Sequence, residues 1–274
     1  MLFIAEVGSN HNQDLSRYLK LIDTAAEIGC GAVKFQLFKI DQMYAPEVLA
    51  RDKKLQALKS RELPLEFIPE IEKRCRENDL NFICSPFYLD AVKQLKPFVY
   101  AFKIGSFELL WLDLIKKCGD TGKPVILSTG MADLPEINEA MTASGQNPLL
   151  LHCVSSYPLD IRNSNLRAIG TLQRSFGARV GWSDHSVSEA VISRAVFKWG
   201  AVCVEFHLDL DGSGLEFGNG HCWLPMRAKA MVDLVYNGQS ADGDGIKIPD
   251  LSELENIKWR ADAQDGMRPQ KELR

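Results

Sequence analysis

Residues 179–185 (RVGWSDH) and 201–207 (AVCVEFH) decide how this chain is read. Each is an apolar run ending in hydroxylic or charged groups, and a segment with helical spacing lies between them. An α/β protein delivers side chains in this way to the carboxyl ends of its strands, where such folds hold ligands. His185 and His207 then face one another across a shared mouth. Either histidine alone reads equally well as a strand cap or a satisfied core residue. Together, at neighbouring strand ends, they offer a divalent ion two imidazole ligands and leave positions open for substrate or water.

Outward from that pair the same unit recurs. The patterning predicts strands over 2–7, 32–38, 81–85, 99–104, 125–128, 149–154, 179–183 and 202–208. It predicts helices over 15–28, 64–78, 89–95, 110–118, 135–143, 166–176, 187–198 and 225–236. Asp14 occupies an N-cap position for the first helix, where Leu19, Ile22 and Ala26 recur at helical spacing. Residues 39–63 form a long polar excursion. Strand and helix alternating eight times predict a (β/α)8 TIM barrel; an open doubly wound sheet, the runner-up, rarely needs so many units. The expected organisation is a barrel domain over 1–237 and a C-terminal tail over 238–274, opening on the Gly-rich, acidic connector GQSADGDG.

Composition narrows the partners. The chain has 274 residues, 46% of them hydrophobic and 25% charged, with a net charge of −4. That is enough apolar material for a full core, and no basic patch suggests nucleic acid. No cationic leader and no long apolar run point to a secretory signal or a membrane span. The seven cysteines at 30, 75, 84, 118, 153, 203 and 222 include no CxxC pair. Dispersed in apolar runs, they read as reduced thiols, and the expected location is the cytoplasm.

The polar groups concentrate at the strand ends: Glu6, Lys34 and Gln36, Ser85, Lys103 and Ser106, Ser128, Ser155 and Tyr157, Ser183 and His185, Glu205 and His207. One serine there is usually a turn or cap residue. The whole set falls on the barrel face that carries active sites. Lysines with several hydroxyls suit a phosphate and a carboxylate, and a two-histidine ion would polarise an aldehyde or ketone. Glu6 and Glu205 are available for proton transfer or for anchoring a sugar hydroxyl. The combination points to carbon–carbon bond chemistry on a phosphorylated acid. A Schiff-base aldolase using Lys34 or Lys103 and a non-catalytic sugar-binding barrel or complex subunit are the alternatives.

The ordered blocks IAEVGSNHNQD, AVKFQ, FICSPF, FKIGSFE, VILSTGM, LLHCVSSYP, GWSDHS and VEFH resemble the sialic acid synthase family from Ile4 to about His207. The resemblance implies a (β/α)8 barrel that condenses phosphoenolpyruvate with an N-acylated amino sugar or related aldose to a nonulosonic acid, releasing phosphate. It implies a divalent metal, manganese first and magnesium or cobalt as alternatives, on His185 and His207. It implies phosphoenolpyruvate contacts at Lys34, Ser85, Lys103, Ser106, Ser128 and Ser183, with Glu6 and Gln36 in the site and Tyr157 lining the sugar pocket. A homodimer is expected as well. Three departures fall on the sugar half: Ser155 where the family has Asn, Phe206 where it has Lys or Arg, and GNGH at 218–221 where it has GPDH, which puts Gly220 in place of an Asp. The antifreeze-like domain common in the family has no counterpart in the tail, so an acceptor other than N-acetylmannosamine, or help from a partner protein, is expected. Glu216 and Asn219, with Arg260 and Arg268 of the tail, are the groups expected to compensate.

Overall fold

Alternate side chains of each barrel strand point inward, and two residues further along the same strand the inward set changes from apolar to polar. The lower layer is Ile4, Ala32, Ile83, Ala101, Ile126, Leu151 and Cys203, a buried cluster of its own. One inward step on stand Glu6, Lys34, Ser85, Lys103, Ser128, Cys153 and Glu205. The lower layer closes the barrel interior and the upper one faces its carboxyl-terminal mouth.

This architecture comes from a computed structural model that describes all 274 residues. The strands are β1 (Leu2–Glu6), β2 (Ala32–Leu37), β3 (Asn81–Pro86), β4 (Ala101–Ile104), β5 (Val125–Ser128), β6 (Leu149–His152), β7 (Val180–Asp184) and β8 (Cys203–Leu208). They pair in sequence order, and β1 also pairs with β8, which closes the ring. Every pairing is parallel. The helices are α1 (Leu15–Ile28), α2 (Ile68–Glu77), α3 (Leu89–Leu95), α4 (Leu112–Gly119), α5 (Leu134–Ser144), α6 (Arg167–Phe176), α7 (Glu189–Phe197) and α8 (Pro225–Ala241). This is the TIM barrel that the sequence predicts.

The outward phase of the strands builds the larger core. Phe35, Phe82, Phe102, Leu127, Leu150, Trp182, Val204 and Phe206 pack there against the buried faces of the helices. Asp14 caps α1 by accepting from the Ser16 N–H, and Gly29 ends that helix in the left-handed region at φ 95°. Gly181 has no side chain because there is no room for one. A Cβ at that position would lie 2.6 Å from the Cys203 carbonyl oxygen of β8.

Several local expectations need correction. The excursion expected at residues 39–63 has structure of its own: it holds short helices at Ile40–Met43, Pro46–Arg51 and Lys53–Ala57 around buried Phe38, Ile40 and Leu49. A short ninth strand, β9 (Cys222–Trp223), adds to β8. Helix α8 runs on through Gly238 and Ser240, part of the expected connector. An interior glycine costs only about 1 kcal/mol, too little to end a helix by itself. The chain divides into compact units Met1–Tyr236 and Asn237–Arg274. Beyond the last turn of α8, the second contains short helical turns, including Leu254–Ile257, and ion pairs such as Arg274–Asp265 at 2.6 Å.

Candidate functional site

The upper inward layer puts two ammonium groups and two carboxylates in one buried enclosure. Lys34 Nζ lies 2.9 Å from Glu6 Oε2 and 3.7 Å from Glu205 Oε1. Lys103 Nζ lies 3.6 Å from the same Glu205 oxygen and donates to Ser128 Oγ at 2.6 Å. Ser183 Oγ–H donates to Glu205 Oε1 at 3.0 Å, and the Gln36 amide donates to Glu6 Oε1. The two lysines shift in opposite directions. Burial works against charge on both, but Glu205 and Glu6 raise Lys34, whereas burial prevails at Lys103 and lowers it. Burial alone would raise Glu205; Lys103 and Lys34 outweigh it and hold the carboxyl at about 2.

Hydroxyls flank this enclosure. Ser85 is the β3 partner of Gln36, and its Oγ is buried without a hydrogen-bond partner. Ser106 Oγ accepts from the Gly130 N–H at 3.1 Å and lies 3.2 Å from Cys153 Sγ. A Cβ on Gly130 would meet Ser155 Oγ at 2.5 Å and Ser106 Oγ at 2.8 Å, so glycine is what lets both hydroxyls converge there. The oxygens of Ser155 and Glu205 Oε2 also lack partners. Buried unpaired polar atoms are uncommon, and several around one enclosure suit a polar ligand. Glu108, in the turn after β4, belongs here although strand periodicity does not reach it. Its carboxyl fills the space a Gly105 side chain would take, and burial raises it to about 7 despite the nearby Lys103.

The histidines form the adjoining wall. The His185 and His207 rings lie 5.5 Å apart, and Tyr157, itself 42% exposed, packs against His185 with ring centroids 4.2 Å apart and the planes tilted by 41°. His185 is aimed inward by its neighbour Asp184, which points outward. The indole N–H groups of Trp182 and Trp223 and the Val187 N–H all donate to the Asp184 carboxylate. The two imidazoles fit a divalent ion as metal-binding histidines do. His185 Nδ1 lies 2.8 Å from the Val154 carbonyl and His207 Nδ1 lies 3.1 Å from Glu216 Oε2, which leaves each Nε2 free as a ligand. Burial, and next the neighbouring His207, holds His185 down at about 3. Burial opposes charge on His207 too, but Glu216 outweighs it and raises that group. One donor atom each from His207, Glu216, His221 and Cys222 lies within a 4.8 Å cluster that does not include His185.

Two placements correct the sequence reading. Phe206 does not alter the sugar half: it is fully buried on the outward face of β8, edge-on to Trp223. Neighbours along a strand point to opposite faces, so a residue between Glu205 and His207 cannot share their enclosure. Glu216 is not free to compensate at a sugar, because its carboxylate is held by the Ser9 N–H and by His207. Gly220 stands in the left-handed region at φ 77°. A cavity of about 220 Å³, lined by Leu2, Asn81, Tyr100, Gln146 and Arg179 among others, lies at the opposite mouth of the barrel, away from these groups.

Comparison with known proteins gives consistent matches. The family model described as NeuB family matches residues 21–247. An N,N'-diacetyllegionaminic acid synthase of Campylobacter jejuni is 36% identical over 273 residues, covering 93% of this chain and 81% of that protein. A pseudaminic acid synthase of Helicobacter pylori is 33% identical over 225 residues, covering 77% and 66%. The crystal structure of an N-acetylneuraminic acid synthetase from Leptospira borgpetersenii, in complex with citrate, superposes with a TM-score of 0.81 at 30% identity, covering 94% of this chain and 90% of that one.

Proposed function

The chain belongs to the NeuB family, and from that premise we propose that it condenses phosphoenolpyruvate with an aldose to give a 2-keto-3-deoxy sugar acid and inorganic phosphate. The observation that carries this reading is the buried pairing of Lys34 and Lys103 with Glu6 and Glu205 beside the two imidazoles. Lys34 and Lys103 hold the phosphate and carboxylate of the enol ester, and Ser85, Ser106, Ser128 and Ser183 supply hydroxyl donors whose positions are fixed beforehand. Gln36, Ser155 and Tyr157 line the acceptor side.

C3 of phosphoenolpyruvate forms the new bond to the aldehyde carbon, whose oxygen takes up a proton. Water adds at C2 and gives up one proton; the hydroxyl so formed passes its second proton to the phosphate as that group leaves with the bridging oxygen, so that C2 becomes the ketone. We assign these transfers to Glu6, Glu205 and Glu108; Glu108, raised to about 7, exchanges a proton most readily near neutrality. A divalent ion on His185 and His207, manganese in our reading, supplies Lewis-acid polarisation of the aldehyde when bound. Positioning of two substrates in one enclosure does much of the rest.

The acceptor we propose is an aldose other than N-acetylmannosamine, used by the chain alone or with a partner protein. Ser155 and Gly220 support that choice, because each offers less than the Asn and Asp of the family pattern. Losing a buried hydrogen-bonding group costs about 1–3 kcal/mol, so the change at Ser155, whose hydroxyl is buried, is by itself enough to shift preference between sugars. We place the reaction in the cytoplasm and in a homodimer. Phosphate release from phosphoenolpyruvate, measured with manganese and a panel of aldoses, tests the proposal. Release that depends on one aldose supports it, and no release with any of them rejects it.

A further inference from the structure

The connection between β8 and β9 carries two groups that strand periodicity cannot place, Glu216 and His221. It is tied down from the other end of the chain. Arg17 donates to Asp209 at 2.6 Å and to Asp211 at 3.0 Å. The side-chain oxygen of Asn10 accepts the Glu216 N–H at 2.9 Å, and that of Asn12 accepts the Leu215 N–H at 3.2 Å. These ties press the Glu216 carboxylate against Gly8 and Ser9. The Ser9 N–H donates to Oε1 at 2.7 Å, and a Cβ on Gly8 would lie 2.2 Å from Oε2. The recess exists only because residue 8 is glycine.

Within that recess one carboxylate oxygen addresses two imidazoles. Glu216 Oε2 lies 3.1 Å from His207 Nδ1 and 3.7 Å from His221 Nε2. The two rings are 4.4 Å apart, with His185 6.2 Å and Tyr157 5.0 Å from His221. His221 is 3% exposed, and its other nitrogen, Nδ1, is buried with no partner at all. An imidazole nitrogen in that state lacks the partner that buried polar atoms almost always have, and a cation would supply it. Cys222, the remaining donor of the cluster, already has its sulfur engaged by the Asn10 amide at 3.4 Å.

We propose that His221 is a third imidazole ligand of the divalent ion, and that Glu216 is the positioning carboxylate that orients both His207 and His221 toward it. This inference rests on the metal-assisted reading above and adds to its pair of histidines. Three nitrogen ligands make a site richer in imidazole than two. Such a site favours cobalt or zinc over magnesium more strongly and leaves fewer positions for water and substrate.

Calorimetric titration of the metal-free full chain with Co2+ is the test, with the cobalt visible spectrum recorded alongside. His221→Phe keeps the ring packed against Tyr157 but removes both nitrogens, and Co2+ affinity should fall at least tenfold with a changed spectrum. Glu216→Gln removes the charge on the shared oxygen and should weaken Co2+ by roughly 10–100-fold, the usual effect of losing such an orienting partner. Cys222→Ala should stay within about threefold of the parent. Thermal melting of the metal-free proteins controls for folding, and His221→Asn replaces the phenylalanine variant if the latter does not fold. A Co2+ affinity within threefold of the parent in the His221 variant overturns the inference. So does loss of binding in Cys222→Ala, which would make the thiol the third ligand. Phosphoenolpyruvate binding to the parent is measured in the same series; its absence would instead reject the functional reading.

Discussion

Replacing Lys103 with methionine probes the anion pocket where the charges are most closely balanced. The side chain is only 2% exposed, donates to Ser128 Oγ at 2.6 Å and stands 3.6 Å from Glu205 Oε1. In formal charges, Lys34 and Lys103 offset Glu6 and Glu205. Lys103→Met therefore leaves the enclosure one unit negative, and a strongly anionic ligand then has to enter it. It also takes from Glu205 the first of the two cations that overcome burial and hold its carboxyl at about 2. A unit charge pair near 4 Å is worth about 4 kcal/mol at an effective dielectric of 20, and truncating one partner of a buried pair costs roughly 2–5 kcal/mol. That corresponds to a phosphoenolpyruvate Kd raised about 30-fold to several thousandfold. Isothermal calorimetry of the parent and Lys103→Met, with circular dichroism as the control for folding, measures it. An affinity within threefold, under about 0.7 kcal/mol, would remove Lys103 from the anion site.

Three other perturbations have defined outcomes. His185→Ala and His207→Ala should each keep the fold and abolish turnover, whereas turnover that survives a strong chelator would rule out the metal. Glu108 is raised from 4.5 to about 7, so the stability it contributes is complete below about pH 4.5 and is lost as pH rises toward 7. Glu108→Gln should flatten that slope in denaturant midpoints measured from pH 4.5 to 8, and parallel profiles would contradict it. Gly181→Ala drives a Cβ to 2.6 Å from the Cys203 carbonyl, on the strand that carries Glu205 and His207. Overpacking of this kind costs about 1–3 kcal/mol, or roughly 2–12 °C in Tm for a chain of this size, and an unchanged melting temperature would show that the strands can part there.

The barrel was legible in the sequence because its two periods are local. Apolar runs that end in polar groups mark strand ends, and a step of two separates Ile4 from Glu6 and Ala101 from Lys103. The same rule, applied strictly, would have kept Phe206 out of the site, since it lies between two inward residues. What lay beyond sequence was set by contacts between distant parts of the chain. Glu216 reaches His207 only because Asn10, Asn12 and Arg17, some two hundred residues away, hold its loop. His221 follows a glycine in an irregular segment, and no period assigns its direction. Glu108 sits in a single 3-10 turn, where alternation along the strand has already ended. The short helices within residues 39–63 were not legible because they are stabilised by a small cluster around Phe38, Ile40 and Leu49, too sparse to leave a periodic trace.

The proposal that phosphate leaves phosphoenolpyruvate by C–O cleavage during condensation with an aldose can be tested in one measurement. Phosphoenolpyruvate labelled with oxygen-18 at the bridging position is incubated with the purified chain, manganese and the aldose panel, and the released phosphate is analysed by mass spectrometry. The account predicts phosphate release that requires a particular aldose, with the label carried in the phosphate. Release without an aldose, or label retained in the organic product, would contradict it.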